Sequence, residues 1–75
     1  MIDKDDFLDK FKSIFEEEDI SKIDFSTEFK HLDEWDSLTA LTLITIIDSN
    51  YKKVLTGENI ESANTINDIY KIILS

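Results

Sequence analysis

The chain has no cysteine, no proline and a single glycine in 75 residues. Without cysteine there are no disulfide staples and no thiolate metal site. One histidine, His31, leaves no partner for a multi-histidine or Cys/His centre. It is expected to be a loop histidine without a catalytic role, and no metal site is expected. A single glycine excludes glycine-rich phosphate loops. The acidic segments lack the Asp-x-Asp-x-Asp-Gly spacing of an EF-hand. No apolar run approaches the roughly 20 residues of a spanning helix. The opening Met1-Ile2-Asp3-Lys4-Asp5-Asp6 does not read as a signal peptide. A soluble cytoplasmic chain without stable membrane insertion is therefore expected, as one domain over residues 1–75.

What is present is acid and hydrophobe. Net charge is −9, and 41% of residues are hydrophobic, enough for a compact core. A domain this short buries only roughly 60% of the surface its unfolded form exposes. Such acidity repels nucleic acid and anionic membranes and attracts basic partner surfaces. It is uneven. Residues 1–36 carry 13 acidic and 5 basic side chains, whereas residues 37–75 carry 4 and 3.

The periodicity predicts an all-α bundle. Phe7, Leu8, Phe11, Ile14 and Phe15 share one helical face after an Asp3 start. That first helix is expected to close in Glu16-Glu17-Glu18-Asp19, where four carboxylates oppose the C-terminal dipole. Residues 20–36 follow as a long connection, pinned by Ile20, Ile23, Phe25, Phe29 and Leu32. Trp35 is expected to pack. A second helix begins at Asp36 or Ser37, either of which can cap it. Its run Leu38-Thr39-Ala40-Leu41-Thr42-Leu43-Ile44-Thr45-Ile46-Ile47 has β-branched residues that favour strand. Adjacent apolar pairs break strict alternation, however, and no Gly or Pro interrupts positions 37–51. Helix is the better reading. Residues 56–61 suit a short third helix. Thr65-Ile66-Asn67-Asp68 resembles a capping box opening a last helix with Ile66, Ile69, Tyr70, Ile73 and Leu74 on one face. Three main helices plus a short one result, with a long loop between the first two.

Catalysis by the chain alone is not expected. Ser37 has no strand–turn–helix elbow of the G-x-S-x-G kind around it. The carboxylates Asp33, Glu34 and Asp36 sit in a domain with little room for a water-excluding cleft. What stands out is Asp36-Ser37-Leu38, a hydroxyl at the mouth of the most apolar helix.

The string Leu32-Asp33-Glu34-Trp35-Asp36-Ser37-Leu38, followed by that helix, resembles the acyl carrier proteins. The similarity covers nearly the whole chain: helix, long loop, Asp-Ser-Leu, second helix, short third helix and a capped fourth. The resemblance implies that Ser37 is esterified by 4′-phosphopantetheine, donated by coenzyme A through a phosphopantetheinyl transferase that reads Asp36. The thiol of the arm would carry an acyl group as a thioester. It also implies acyl-loading, acyl-transferring or condensing enzymes as partners of a monomer. A helix N-terminus favours a phosphate, but the neighbouring Asp36 charge opposes it, so the two effects nearly cancel. Asp36 is therefore better explained as a feature read by the modifying enzyme.

Two departures point away from housekeeping fatty-acid synthesis. Members serving that role carry acidic residues along the exposed face of the second helix, where this chain has Thr39, Thr42 and Thr45 with only Asp48 charged. The usual glycine before Asp-Ser-Leu is replaced by Glu34-Trp35. The expectation is a specialised carrier of a dedicated biosynthetic pathway. Its partner surface would use Leu38, Thr39, Leu41, Thr42, Thr45 and Asp48, and Leu38 would flank the attachment site. A general fatty-acid carrier, an aminoacyl or peptidyl carrier, and an unmodified acidic interaction module are the alternatives.

Overall fold

A computed structural model describes residues 2–16 and 18–75. Among them are four α-helices: α1 (Lys4–Lys12), α2 (Ser37–Tyr51), α3 (Gly57–Ser62) and α4 (Ile66–Leu74). Each begins where a side-chain oxygen accepts an otherwise unpaired N–H of the first turn. Asp3 caps α1 through Asp6 N at 3.1 Å. Asp36 caps α2 through Thr39 N at 2.8 Å. Thr56 and Asn59 form a reciprocal capping box on α3, and Thr65 and Asp68 form one on α4. The expected all-α architecture, with its short third helix and long first connection, is the one observed.

The core joins an aromatic cluster to isoleucine and leucine and is built from both sides of that connection. Phe7 and Phe11 of α1, Phe29 of the connection, Leu43 and Ile47 of α2, and Ile66 and Ile69 of α4 are all buried. Phe7 lies 5.2 Å from Tyr70, and Phe11 meets Phe29 edge-on at 5.5 Å. Phe29 in turn meets Trp35 edge-on at 4.8 Å. Trp35 is half-buried, so it packs as expected. α1 and α3 both lie against α4.

The connection is ordered by its own polar groups. Two 3₁₀ turns, Ile20–Lys22 and Phe29–His31, are separated by a turn at Asp24. The Asp24 carboxylate accepts Ser26 N at 2.9 Å, while Asp24 N donates to Thr27 Oγ1 at 2.9 Å. The backbone beyond it serves α4. Ile66 N donates to Thr27 O at 3.1 Å and Asn67 N to Phe25 O at 2.9 Å. With Asp68 N on Thr65 Oγ1, the first three amides of α4 are all satisfied. The connection is thus part of the bundle, and the radius of gyration of 11.1 Å is about that expected for a compact domain of this length.

Three expectations are corrected. α1 ends at Lys12, not within residues 16–19; of that stretch, Glu17 lies outside the described residues. Ser13 Oγ donates to Lys10 O at 2.6 Å. The amides of Ile14 and Phe15 then bond three residues back, to Phe11 O and Lys12 O. The tighter turn still delivers Phe15 to the core. Ile20 does not pin the connection, being 48% exposed. Leu74, the last residue of α4, is also exposed.

Candidate functional site

The site grows from the cap of α2. Asp36 has extended backbone, and its Oδ1 accepts both Thr39 N at 2.8 Å and Thr39 Oγ1 at 2.9 Å. These bonds, the Thr39 N–H first and its hydroxyl second, hold the Asp36 carboxyl below its ordinary value. Asp36 is therefore ionised at neutral pH. Thr39 Oγ1 also lies 3.1 Å from Glu34 O, to which it can donate. The first turn of α2 and the turn before it are thereby fixed to each other.

Ser37 is the first residue inside α2 and is exposed. Its hydroxyl makes no hydrogen bond among the described residues, and that sets it apart. The side-chain hydroxyls of Ser13, Ser21, Ser26, Ser62 and Ser75 all donate to nearby oxygens. Thr39, Thr42 and Thr45 donate to backbone carbonyls, and Thr27, Thr56 and Thr65 receive backbone amides. Among the described residues only Ser49, exposed in the last turn of α2, shares the uncommitted state of Ser37. An exposed hydroxyl that the fold does not use, in the first turn of a 15-residue helix, is sterically open to an incoming phosphate, while the ionised Asp36 offsets the attraction of the helix N-terminus.

The residues expected to form a partner surface divide. Leu38 is 71% and Leu41 58% exposed, and at i and i+3 they are neighbours on the helix surface. Thr42, Thr45 and Asp48 are exposed beside them. Thr42 Oγ1 donates to Leu38 O and Thr45 Oγ1 to Leu41 O, each at 3.0 Å. Those hydroxyls satisfy themselves on their own helix, which leaves the face less polar than its composition suggests. Thr39 is half-buried and its hydroxyl serves the cap, so it belongs to the support of the site. Leu43 and Ile47 are core, and Ile44 is half-buried. His31 is exposed in its 3₁₀ turn, away from any cluster of metal-ligating groups among the described residues.

One element of the site was not read from the sequence. The Glu34 carboxylate accepts Glu16 N at 2.8 Å and Glu18 N at 3.1 Å, and Glu34 N donates back to Glu18 Oε2 at 2.8 Å. The segment leaving α1 is clamped to the segment entering α2, three residues before Ser37. Nothing local marks this pairing, because the partners lie 16 and 18 positions apart. No helix among the described residues is long and apolar enough to cross a membrane.

Comparison with protein-family models, with curated proteins and with solved structures finds no match for this chain.

Proposed function

We propose that this chain is an acyl carrier whose Ser37 is esterified by 4′-phosphopantetheine. The observation that carries the reading is the exposed, hydrogen-bond-free Ser37 hydroxyl at the start of α2, directly after the ionised Asp36 cap. The Ser37 oxygen would attack the pyrophosphate of coenzyme A at the phosphorus nearer the pantetheine. An Oγ–P bond forms, the P–O bond to the nucleotide half breaks, and the hydroxyl proton passes to a base on the transferase. The arm supplies a thiol that this cysteine-free chain lacks. Ser37 presents the arm, Asp36 fixes the backbone around it and offers a charge to the transferase, and Leu38 supplies apolar contact beside it.

The setting supports a carrier with dedicated partners. The exposed face of α2 offers Leu38, Leu41, Thr42 and Thr45 with Asp48 as its one charge. Docking there rests on desolvation of leucine more than on Coulomb attraction, so it should depend weakly on salt. Acyl-loading and condensing enzymes with an apolar contact patch fit this face.

The test is the intact mass of the chain after incubation with coenzyme A and a broad-specificity phosphopantetheinyl transferase. A gain of one phosphopantetheine, abolished by Ser37→Ala, is expected. Asp36→Asn separates two roles, because asparagine caps a helix as well as aspartate does while removing the charge. Slower modification of a stably folded Asp36→Asn chain is expected, and an unchanged rate would remove Asp36 from recognition. No mass gain, with the chain's native transferase as well, would overturn the carrier reading in favour of an acidic interaction module.

A further inference from the structure

α1 and α2 are tied at their ends and part between them. At one end, Tyr51 Oη donates to Asp6 Oδ2 at 2.7 Å. At the other, Glu34 clamps the chain leaving α1. Between the ties lies an open groove of about 400 Å³ beside Asp36, with Ile14, Leu38, Thr42 and Ile46 in its lining. A second hollow of about 430 Å³ continues it, sharing Ser13 and Ile46 and bordered by Asp9 and Asn50. The contribution of α2 is Leu38, Thr42, Ile46 and Asn50, spaced four apart on one face. At 1.5 Å per residue they span about 18 Å.

The chemistry of this groove names its occupant. Ile14, Leu38 and Ile46 are its apolar part, and the polar atoms set among them are already satisfied: Thr42 Oγ1 on Leu38 O and Ser13 Oγ on Lys10 O. Its rim is acidic, with Asp9 in one hollow and Glu16, Glu34 and Asp36 in the other. Lys10 lines the second hollow beside Asp9 and bonds Asp6 at 2.9 Å, so it is the one cation set against four carboxylates along the rim. A hydrocarbon chain laid here would desolvate carboxylates without compensation. An apolar stripe with cations along its edges would satisfy apolar part and rim together. The end ties hold the groove open beforehand, which lowers the entropy cost of filling it.

We propose that the α1–α2 groove docks a basic amphipathic helix of a partner protein, about three turns long. This surface shares Leu38 and Thr42 with the outward face of α2 but turns away from Leu41, Thr45 and Asp48, and it does not require Ser37 to carry anything.

The probe is a synthetic helical peptide of alternating leucine and lysine stripes, about 14 residues long, titrated into the isotopically labelled full chain at low salt. Saturable binding is expected, with amide shifts concentrated at Ser13, Thr42, Ile46 and Asn50. The double variant Asp9→Asn, Glu16→Gln removes two exposed rim charges whose side chains hold no part of the fold. It should bind about fivefold more weakly. Glu58→Gln, Glu61→Gln makes the same charge change on α3 and should bind as the parent does. The proposal is overturned by shifts centred on Leu41, Thr45 and Asp48, by equal weakening in the α3 pair, or by equal binding of a scrambled peptide. Absence of saturable binding overturns it too. Each result is independent of whether Ser37 accepts phosphopantetheine.

Discussion

Replacing Phe29 by alanine should be among the most damaging changes in the molecule, although Phe29 sits in what looks like a loop. Its side chain has no solvent exposure. It meets Phe11 at 5.5 Å and Trp35 at 4.8 Å, both edge-on. Truncating a buried phenylalanine to alanine costs about 3–5 kcal/mol. Loss of two edge-to-face contacts places this site at the upper end of that range. A 75-residue domain has a total stability of about 4–11 kcal/mol. Phe29→Ala should therefore remove a third of the stability or more, and leave a partly unfolded chain if the parent is near the lower bound. Urea denaturation followed by Trp35 fluorescence is the natural assay. With a slope of about 1 kcal/mol per molar for so small a domain, the midpoint should fall by about 3 M or more. Phe29→Leu keeps most of the volume and should cost about 1.5 kcal/mol or less, which keeps the series measurable. Ile20→Ala, in the same connection but exposed, should stay within about 0.5 kcal/mol of the parent. A Phe29→Ala cost below about 1 kcal/mol would refute the idea that residues 20–36 are part of the core.

Further outcomes follow from the helix ends. Lys52 closes α2 in the left-handed region, at φ 56° and ψ 36°. Lys52→Gly should relieve that strain against a smaller entropy cost, for a net gain of about 0.5 kcal/mol and about 2–4 °C in Tm. Thr65→Ala should cost about 1 kcal/mol by opening the capping box of α4, while Thr65→Ser should not, as thermal melts of the pair will show. The Asp36 and Asp68 carboxyls are held below their ordinary value, Asp36 by Thr39 and Asp68 by the amides of Asn64 and Thr65. A carboxyl with a depressed folded pKa stabilises the fold above its unfolded value and loses that contribution as pH falls through the folded one. Tm should therefore hold from neutral pH down to about 4 and fall below it. Asp36→Asn with Asp68→Asn should make this acid limb shallower, the remainder coming from Asp6, Asp19 and Asp24, whose carboxyls are also held low by side-chain hydrogen bonds from Tyr51, Ser21 and Ser26, and an unchanged limb would remove the linkage.

The helices and their starts were legible because caps and periodicity are local. Asp3, Thr65 and the Asp36–Ser37 boundary all lie where their side chains could be read as first-turn acceptors, whereas Thr56, expected inside a helix over 56–61, is the cap that precedes α3. α1 ends before its run of carboxylates because Ser13 turns its hydroxyl onto Lys10 O and the chain tightens to bonds three residues back, and beyond that turn Glu34 takes the amides of Glu16 and Glu18 from across the fold. No local pattern encodes that contact. The faces of α2 were ambiguous for a different reason. With leucine or isoleucine on every side, periodicity cannot decide which are core. Packing buries Leu43 and Ile47 and leaves Leu38 and Leu41 out. The connection looked structureless because its order comes from Asp24, Thr27 and the carbonyls it lends to α4. The α1–α2 groove was invisible for a related reason: its lining comes from residues 9–16 and 34–50, which only the folded chain brings together.

The site and the fold share a boundary at Ser37, and the sharing can be measured. Asp36 and Thr39 have their side chains committed to the first turn of α2, whereas the Ser37 hydroxyl contributes nothing to it. Serine and alanine differ at such a position only in helix propensity, a few tenths of a kcal/mol in favour of alanine in an exposed helix. Ser37→Ala should therefore melt within about 2 °C of the parent, on the high side if anything. It should also show the same urea midpoint and the same amide spectrum beyond its immediate neighbours. Thr39→Val, with similar bulk but no hydroxyl, should be less stable because Asp36 and Glu34 lose their shared donor. If Ser37→Ala proves markedly destabilising while Thr39→Val does not, then Ser37 is the structural residue of this turn. Its exposure would then be no argument for modification, and the carrier reading would lose the observation it rests on.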